Sequence, residues 1–292
     1  VKMYKSKMWC YALLAVTSML ATSAQAAIAK NDRVAALLPD AIKSAGTLRI
    51  AIPDIGKPLA YKENGQLKGM DVELGHAVAA VMGLKADIHL VPFAAALAGL
   101  QANKYDVAYG EFYVTAERLK VADFVSNWQD YSSFLVSKAK DFKPKTLKEI
   151  CGHKVGAMAG SAELATLNSA KDKCGSTAPT ISAFASINQA ILALNSNRVD
   201  GVLINRGGAQ EAINMDKRLD ASGEIGGGPT ATAVARNANA EKLLPAIKSA
   251  YDSLIQSGDY MKILKNNDTA YGAVQSAVIY QQNSTPPSYA FN

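Results

Sequence analysis

Short apolar runs alternate with segments of helical period along most of this chain, and that alternation restricts the fold more than any other feature. Strand and helix in steady succession call for a parallel sheet with helices on its faces, an α/β architecture. Residues 47–52 read as the first strand, followed by a loop holding Pro53, Gly56 and Pro58. Residues 61–67 read as a hairpin about Asn64-Gly65, a pair that tolerates the positive φ of a tight turn. Asp71 is expected to cap a helix in which Leu74, Ala77, Val78, Val81 and Met82 recur at helical spacing, with Gly83 ending it. A strand at 86–91, a helix at 94–102 and a strand at 105–109 follow. Beyond an extended stretch at 134–136, the polar segment 138–145 with Pro144 reads as the exit from a first lobe. A second set comprises strands at 154–158, 180–183 and 201–204 and helices at 162–170 and 186–195. The glycine-rich stretch 223–229 reads as a loop, 230–234 as a returning strand, and 241–257 and 258–265 as closing helices. The tail, 281–292, carries two prolines and reads as loose. One lobe (27–137 and 231–292) interrupted by another (138–230) and joined by two crossing strands describes a hinged, two-lobed clamshell.

The first 26 residues have the layout of an export signal. Lys2, Lys5 and Lys7 precede an apolar run from Met8 to Leu20, and Ala24-Gln25-Ala26 supplies small residues for cleavage near Ala26. The run is shorter than the roughly 20 residues a membrane-spanning helix requires. Three of the lysines behind the formal charge of +6 lie in this leader, and the remaining basic residues are scattered. Nucleic-acid binding therefore has no electrostatic footprint. Cys151 and Cys174 form an even pair that an oxidising compartment would bridge, the alternative being two buried thiols. His76, His89 and His153 are isolated from one another and from the cysteines, so no metal site is expected. No phosphate loop or dinucleotide fingerprint calls for a cofactor.

The segment NKYDVAYGEFYVTAERLKVADFV, 103–125, carries the most chemistry. A short strand leads through a polar turn to Thr115, a residue type that accepts the unpaired amide hydrogens of a first helical turn. Arg118 rises from that same turn. A guanidinium fixed beside a helix start suits a carboxylate, which it can hold through two parallel hydrogen bonds. Taken alone, Arg118 can equally pair with Glu117 or Asp123.

Five segments in order resemble the periplasmic solute-binding proteins of ABC importers, in particular the amino-acid-binding family. They are GTLRIAIPDIGKPLAY, GQLKGMDVELGHAVAAVMG, NKYDVAYGEFYVTAER, CGHKVGAMAGSAEL and LNSNRVDGVLINRG, spread over about 46–265. The resemblance implies a type II periplasmic-binding-protein clamshell with two crossover strands. It implies a monomeric periplasmic receptor that binds a small carboxylate-bearing solute, an amino acid or an amine-bearing derivative, and hands it to a membrane permease. By motif position Arg118 should bind the solute carboxylate, with Thr115 fixing the turn. Gly160 and Ser161 open a helix in the other lobe, whose free amide hydrogens favour the same anion. Asn205 stands where the family usually has an Asp that pairs with the α-ammonium, so either the ligand lacks that group or another acid serves. Glu111 is the candidate acid, and Tyr113 beside it can stack on the ligand or narrow the pocket. Tyr61 and Asp54 are further candidates near the cleft; Phe93, Trp128 and Tyr131 can supply aromatic surface or simply core. Asp71 and Glu73 are expected to serve their helix dipole. No catalytic group is implied. The alternative is an enzyme of the same fold, similar to cyclohexadienyl dehydratases, with Glu111 as general acid; a second is a dehydrogenase accessory protein.

Overall fold

The structure, a computed structural model, describes residues 28–289; the leader read at 1–26 lies outside them. Two short helices, α1 (Asp32–Ala36) and α2 (Asp40–Ala45), lead into β1 (Thr47–Pro53). The expected hairpin forms from β2 (Tyr61–Glu63) and β3 (Gln66–Lys68), with Asn64 and Gly65 both at positive φ. Helix α3 (Met70–Val81) follows, but Asp71 does not cap it. The cap is Gly69, at φ 115, because a Cβ there would lie 2.3 Å from the Leu59 carbonyl oxygen. Asp71 instead sits within the first turn, two residues after the cap, and is fully buried. β4 (Lys85–Val91), α4 (Phe93–Gln101), β5 (Val107–Tyr113) and the single turn α5 (Ala116–Leu119) complete this stretch.

β6 (Ala122–Ser137) is far longer than the three extended residues predicted. Its polar residues Ser126, Asn127, Asp130 and Ser132 hide a strand from a pattern search, yet all four are buried. The second lobe follows with β7 (Lys154–Met158), α6 (Ala162–Lys171), β8 (Thr180–Phe184), α7 (Ile187–Asn195) and β9 (Gly201–Asn205), close to expectation. Helix α8 (Arg206–Met215) and strand β10 (Leu219–Ser222) were not legible, since two glycines open the helix. The glycine-rich segment read as a loop is in part strand: β11 runs Gly227–Ala235. Helices α9 (Ala240–Ser257) and α10 (Asp259–Asn266) are separated by Gly258 in the left-handed region. Within the tail read as loose, Tyr289 is buried, and just before it β12 (Ile279–Tyr280) pairs with β6.

The strands form one sheet ordered β4-β1-β5-β11-β6-β9-β7-β8, with β10 and β12 also on β6. β4, β1 and β5 are parallel in one half, as are β8, β7 and β9 in the other. β6 and β11 are the antiparallel crossing strands. Residues 122–131 of β6 pair with β11 and residues 132–136 with β9, so one strand belongs to both lobes. A large core surrounds the first half-sheet, with Leu48, Ile50, Tyr109, Phe124 and Trp128 among its buried side chains. Two smaller cores lie on the second half-sheet, around Phe134 with Leu203 and around Leu135 with Val202. Successive side chains of β6 and β9 thus feed opposite faces. Cys151 and Cys174 are disulfide-bonded, which ties the start of the second lobe to the segment after α6. No helix among the described residues is long and apolar enough to cross a membrane.

Candidate functional site

A cavity with about 590 Å3 of non-atom space, part of it open to solvent, lies between the two half-sheets. The C-terminal ends of parallel strands converge there, where open α/β sheets place their ligands. Phe93, Glu111, Tyr113 and Arg118 enter from the first lobe, Met158, Ser161, Glu163 and Asn205 from the second, and Asp130 and Thr230 from the crossing strands.

Arg118 is held from its own turn. The Thr115 hydroxyl accepts from the Arg118 amide at 3.2 Å, which fixes α5. Nη1 donates to the Tyr113 carbonyl at 2.9 Å and Nη2 to the Gly160 carbonyl in the opposite lobe at 3.1 Å. The guanidinium lies over Phe112 and Phe93, 5.3 and 5.8 Å from the ring centres. Burial lowers its pKa from the ordinary 12.5, against the pull of Glu163. The simple alternatives are taken by other cations. Lys120 pairs with Glu117 at 2.8 Å and Arg236 with Asp123 at 2.6 Å.

Across the gap Ser161 caps α6, its hydroxyl accepting from the Leu164 amide at 3.1 Å. The first amides of α6 are directed to the cavity end of the helix and lack intrahelical partners, a setting that favours an anion. Gly160 has φ 80, and a Cβ there would lie 3.2 Å from Ala94 of the other lobe. Glycine is what lets this backbone come within reach of Arg118.

Much of the remaining lining is apolar, and its charged groups are acids. Glu111 is at φ 51, a left-handed conformation that costs a non-glycine residue about 1–3 kcal/mol. Its carboxylate accepts from Asn127 Nδ2 at 3.3 Å and from the Thr230 hydroxyl. Burial raises its pKa, while hydrogen bonds from Asp71, Thr230 and Asn127 oppose the rise. Asp130 is driven well above the usual carboxylate range by burial, despite a bond from the Tyr131 amide at 2.8 Å. Glu163 accepts from Ser132 at 2.9 Å. Three carboxyl groups and one guanidinium therefore line the cavity.

Arg118, Glu111, Tyr113, Ser161 and Asn205 all line this cavity, and Thr115 and Gly160 support it from behind. Asp54 is exposed and off the cavity. Tyr61 lies in the hairpin beneath Lys57, whose ammonium is 5.0 Å from its ring, and is also off the cavity. Trp128 is core, donating to the Thr269 carbonyl at 2.8 Å. Phe93 is the aromatic of the cleft. Asp130, Glu163 and Thr230 escaped the sequence reading. The one available signal was Asp130 in the middle of the stretch Asn127-Trp128-Gln129-Asp130-Tyr131, which has to be recognised as strand before its acid stands out. No group of three or more His, Cys, Asp or Glu residues suited to a metal ion occurs among the described residues.

The chain matches the bacterial extracellular solute-binding proteins, family 3, over residues 48–267. It is 34% identical over 112 residues to the probable amino-acid-binding protein YxeM of Bacillus subtilis, covering 38% of this chain and 42% of that protein. It is 25% identical over 257 residues to the arginine-binding protein ArgT of Corynebacterium glutamicum, covering 85% and 83%. The alignments thus span about half the length of curated relatives such as YxeM. Among solved structures, an ancestral arginine-binding protein bound to arginine superposes with a TM-score of 0.71 at 30% identity, covering 76% of this chain and 98% of that one.

Proposed function

We propose that this chain, which belongs to the bacterial extracellular solute-binding proteins of family 3, closes on an α-amino acid and presents it to an ABC-transporter permease. The single observation that carries this reading is the meeting of Arg118 and the α6 start on one cavity from opposite lobes. The ligand carboxylate takes the remaining guanidinium donors and the free amides beyond Ser161. An anion bound by both lobes stabilises only the closed arrangement, and that difference in affinity is what a closing receptor requires. Asn205 brings no charge; the α-ammonium is met by Asp130, which adjoins it, with Glu111 and Glu163 near by. The surplus of carboxyl groups favours a second positive charge on the ligand, as in the arginine named for ArgT and for the ancestral protein.

The relatives are named as binding proteins, and we read this chain as one too, exported with its leader removed near Ala26 and working outside the cytoplasmic membrane. The dehydratase alternative draws on the same cleft acid, Glu111, but that carboxylate accepts bonds from two neighbouring donors, which favours its ionised form over a general acid. A thermal-shift screen over amino acids, opines, polyamines and organic acids, repeated with Arg118→Ala, tests the reading. Stabilisation by an amino acid that disappears in the variant is expected. Stabilisation by polyamines alone, undiminished in Arg118→Ala, would contradict it.

A further inference from the structure

Asp71, behind the cavity wall, is the one buried carboxyl among the described residues with neither oxygen hydrogen-bonded. It is fully buried, and neither carboxyl oxygen receives a hydrogen bond from any donor. The carboxyl of Glu111 neighbours it closely enough to raise its pKa through charge and a shared proton. The donors of this region, Asn127 Nδ2 and the Thr230 hydroxyl, both go to Glu111. Two carboxylates cannot hydrogen-bond each other; a proton has to lie between them. The distribution of donors says which residue holds it. Glu111, with two donors and an edge on the cavity, is the site for the charge, while Asp71, with no donor, is the site for the proton.

We propose that Asp71 is a positioning residue that works as a neutral carboxylic acid at physiological pH, donating its proton to Glu111 and so fixing Glu111 as the ionised counter-charge for the cationic part of the ligand. This rests on the amino-acid reading for its ligand, though not for its proton. Glu111 then has three donors, from Asp71, Asn127 and Thr230, and these hold it in its left-handed backbone conformation. Burial and then the charge of Glu111 drive Asp71 well above its ordinary 3.8; burial raises Glu111 too, but there the bonds from Asp71, Thr230 and Asn127 oppose the rise. Other titratable groups facing the pair are Tyr109 from β5, Tyr251 from α9, Tyr260 from α10, Asp130 from β6 and Tyr271 from the turn that follows α10. None of these supplies a positive charge that would ionise Asp71.

Asp71→Asn keeps the shape and a donor but removes the titration. An acid whose folded pKa lies above its unfolded one weakens folding as pH rises through the unfolded value, since only the unfolded chain releases the proton. In thermal unfolding without ligand, Asp71→Asn is therefore expected to melt above wild type at pH 7, with the gap closing as pH falls towards 3.8. A variant that melts lower at pH 7, or a gap independent of pH, overturns the proposal. With L-arginine as calorimetric probe, Asp71→Asn should bind within about threefold of wild type, while Glu111→Gln loses at least about tenfold. Equal losses in both variants would mean that Asp71 acts as an anion and would overturn the proposal. If L-arginine binds to neither wild type nor variants, the reading of a ligand with a second positive charge fails, and the unfolding curves still decide the proton. Should Asp71→Asn not fold, infrared spectra of 13C-aspartate-labelled Asp130→Asn protein decide it: a protonated-carboxyl band at pH 7 is expected, and its absence is the contrary result.

Discussion

The guanidinium of Arg118 donates to two carbonyls, one in its own turn and one across the gap. A lysine cannot reproduce that fork. Arg118→Lys keeps the charge, yet it should weaken amino-acid binding by about 1.5–3 kcal/mol in calorimetry. Gly160→Ala should weaken it as well, since the new Cβ meets Ala94 and the backbone must hold φ 80. At this scale the sequence was informative where one residue type has one job. Thr115 and Ser161 precede their helices and cap them, and Arg118 follows its cap by three residues. It was uninformative where burial decides the chemistry. Asp71 looked like a helix-dipole acid because its position in the first turn of α3 is visible in sequence, whereas the absence of any donor around it is a property of packing. Asp130 and Glu163 were missed for the same reason.

Among the elements, the disulfide and the tail carry separable predictions. Cys151 and Cys174 close a loop of 23 residues' separation around β7 and α6. In the chain-entropy view the paired Cys151→Ser, Cys174→Ser protein should lose about 3 kcal/mol in denaturant unfolding. Tyr289 stacks on Tyr113 at 4.5 Å, accepts from the Val114 amide at 2.6 Å and donates to the Pro229 carbonyl at 2.7 Å. Tyr289→Phe leaves the buried Val114 amide without that partner and should cost about 1–3 kcal/mol, read in the same experiment. The two sets of parallel strands and their helices were legible because their periods are clean. The long β6 was not, because its apolar alternation is broken by polar side chains that the second lobe and the cavity use. The tail was not, because a tyrosine that docks 60 residues from its partner leaves no local trace.

For the whole molecule, closure depends on β6, the strand shared between the halves, and on β11 paired beside it. The cavity lies where they cross, so a ligand that bridges Arg118 and the start of α6 acts directly on the hinge. Small-angle scattering should register a smaller radius of gyration when the amino acid is added to wild type, and no change for Arg118→Ala. The two-lobed plan could be read from the interruption of one α/β set by another. The registry of the crossing strands, which sets what faces the gap, could not, because Gly227 and Gly228 read as loop until β6 is there to pair with them.

The decisive measurement is a calorimetric titration of wild type with the amino acid that raises its melting temperature most, alongside the amine left when that amino acid loses its carboxylate. If the two lobes meet on that carboxylate, the decarboxylated amine binds at least about a hundredfold more weakly. Matched affinities for the pair would contradict the account.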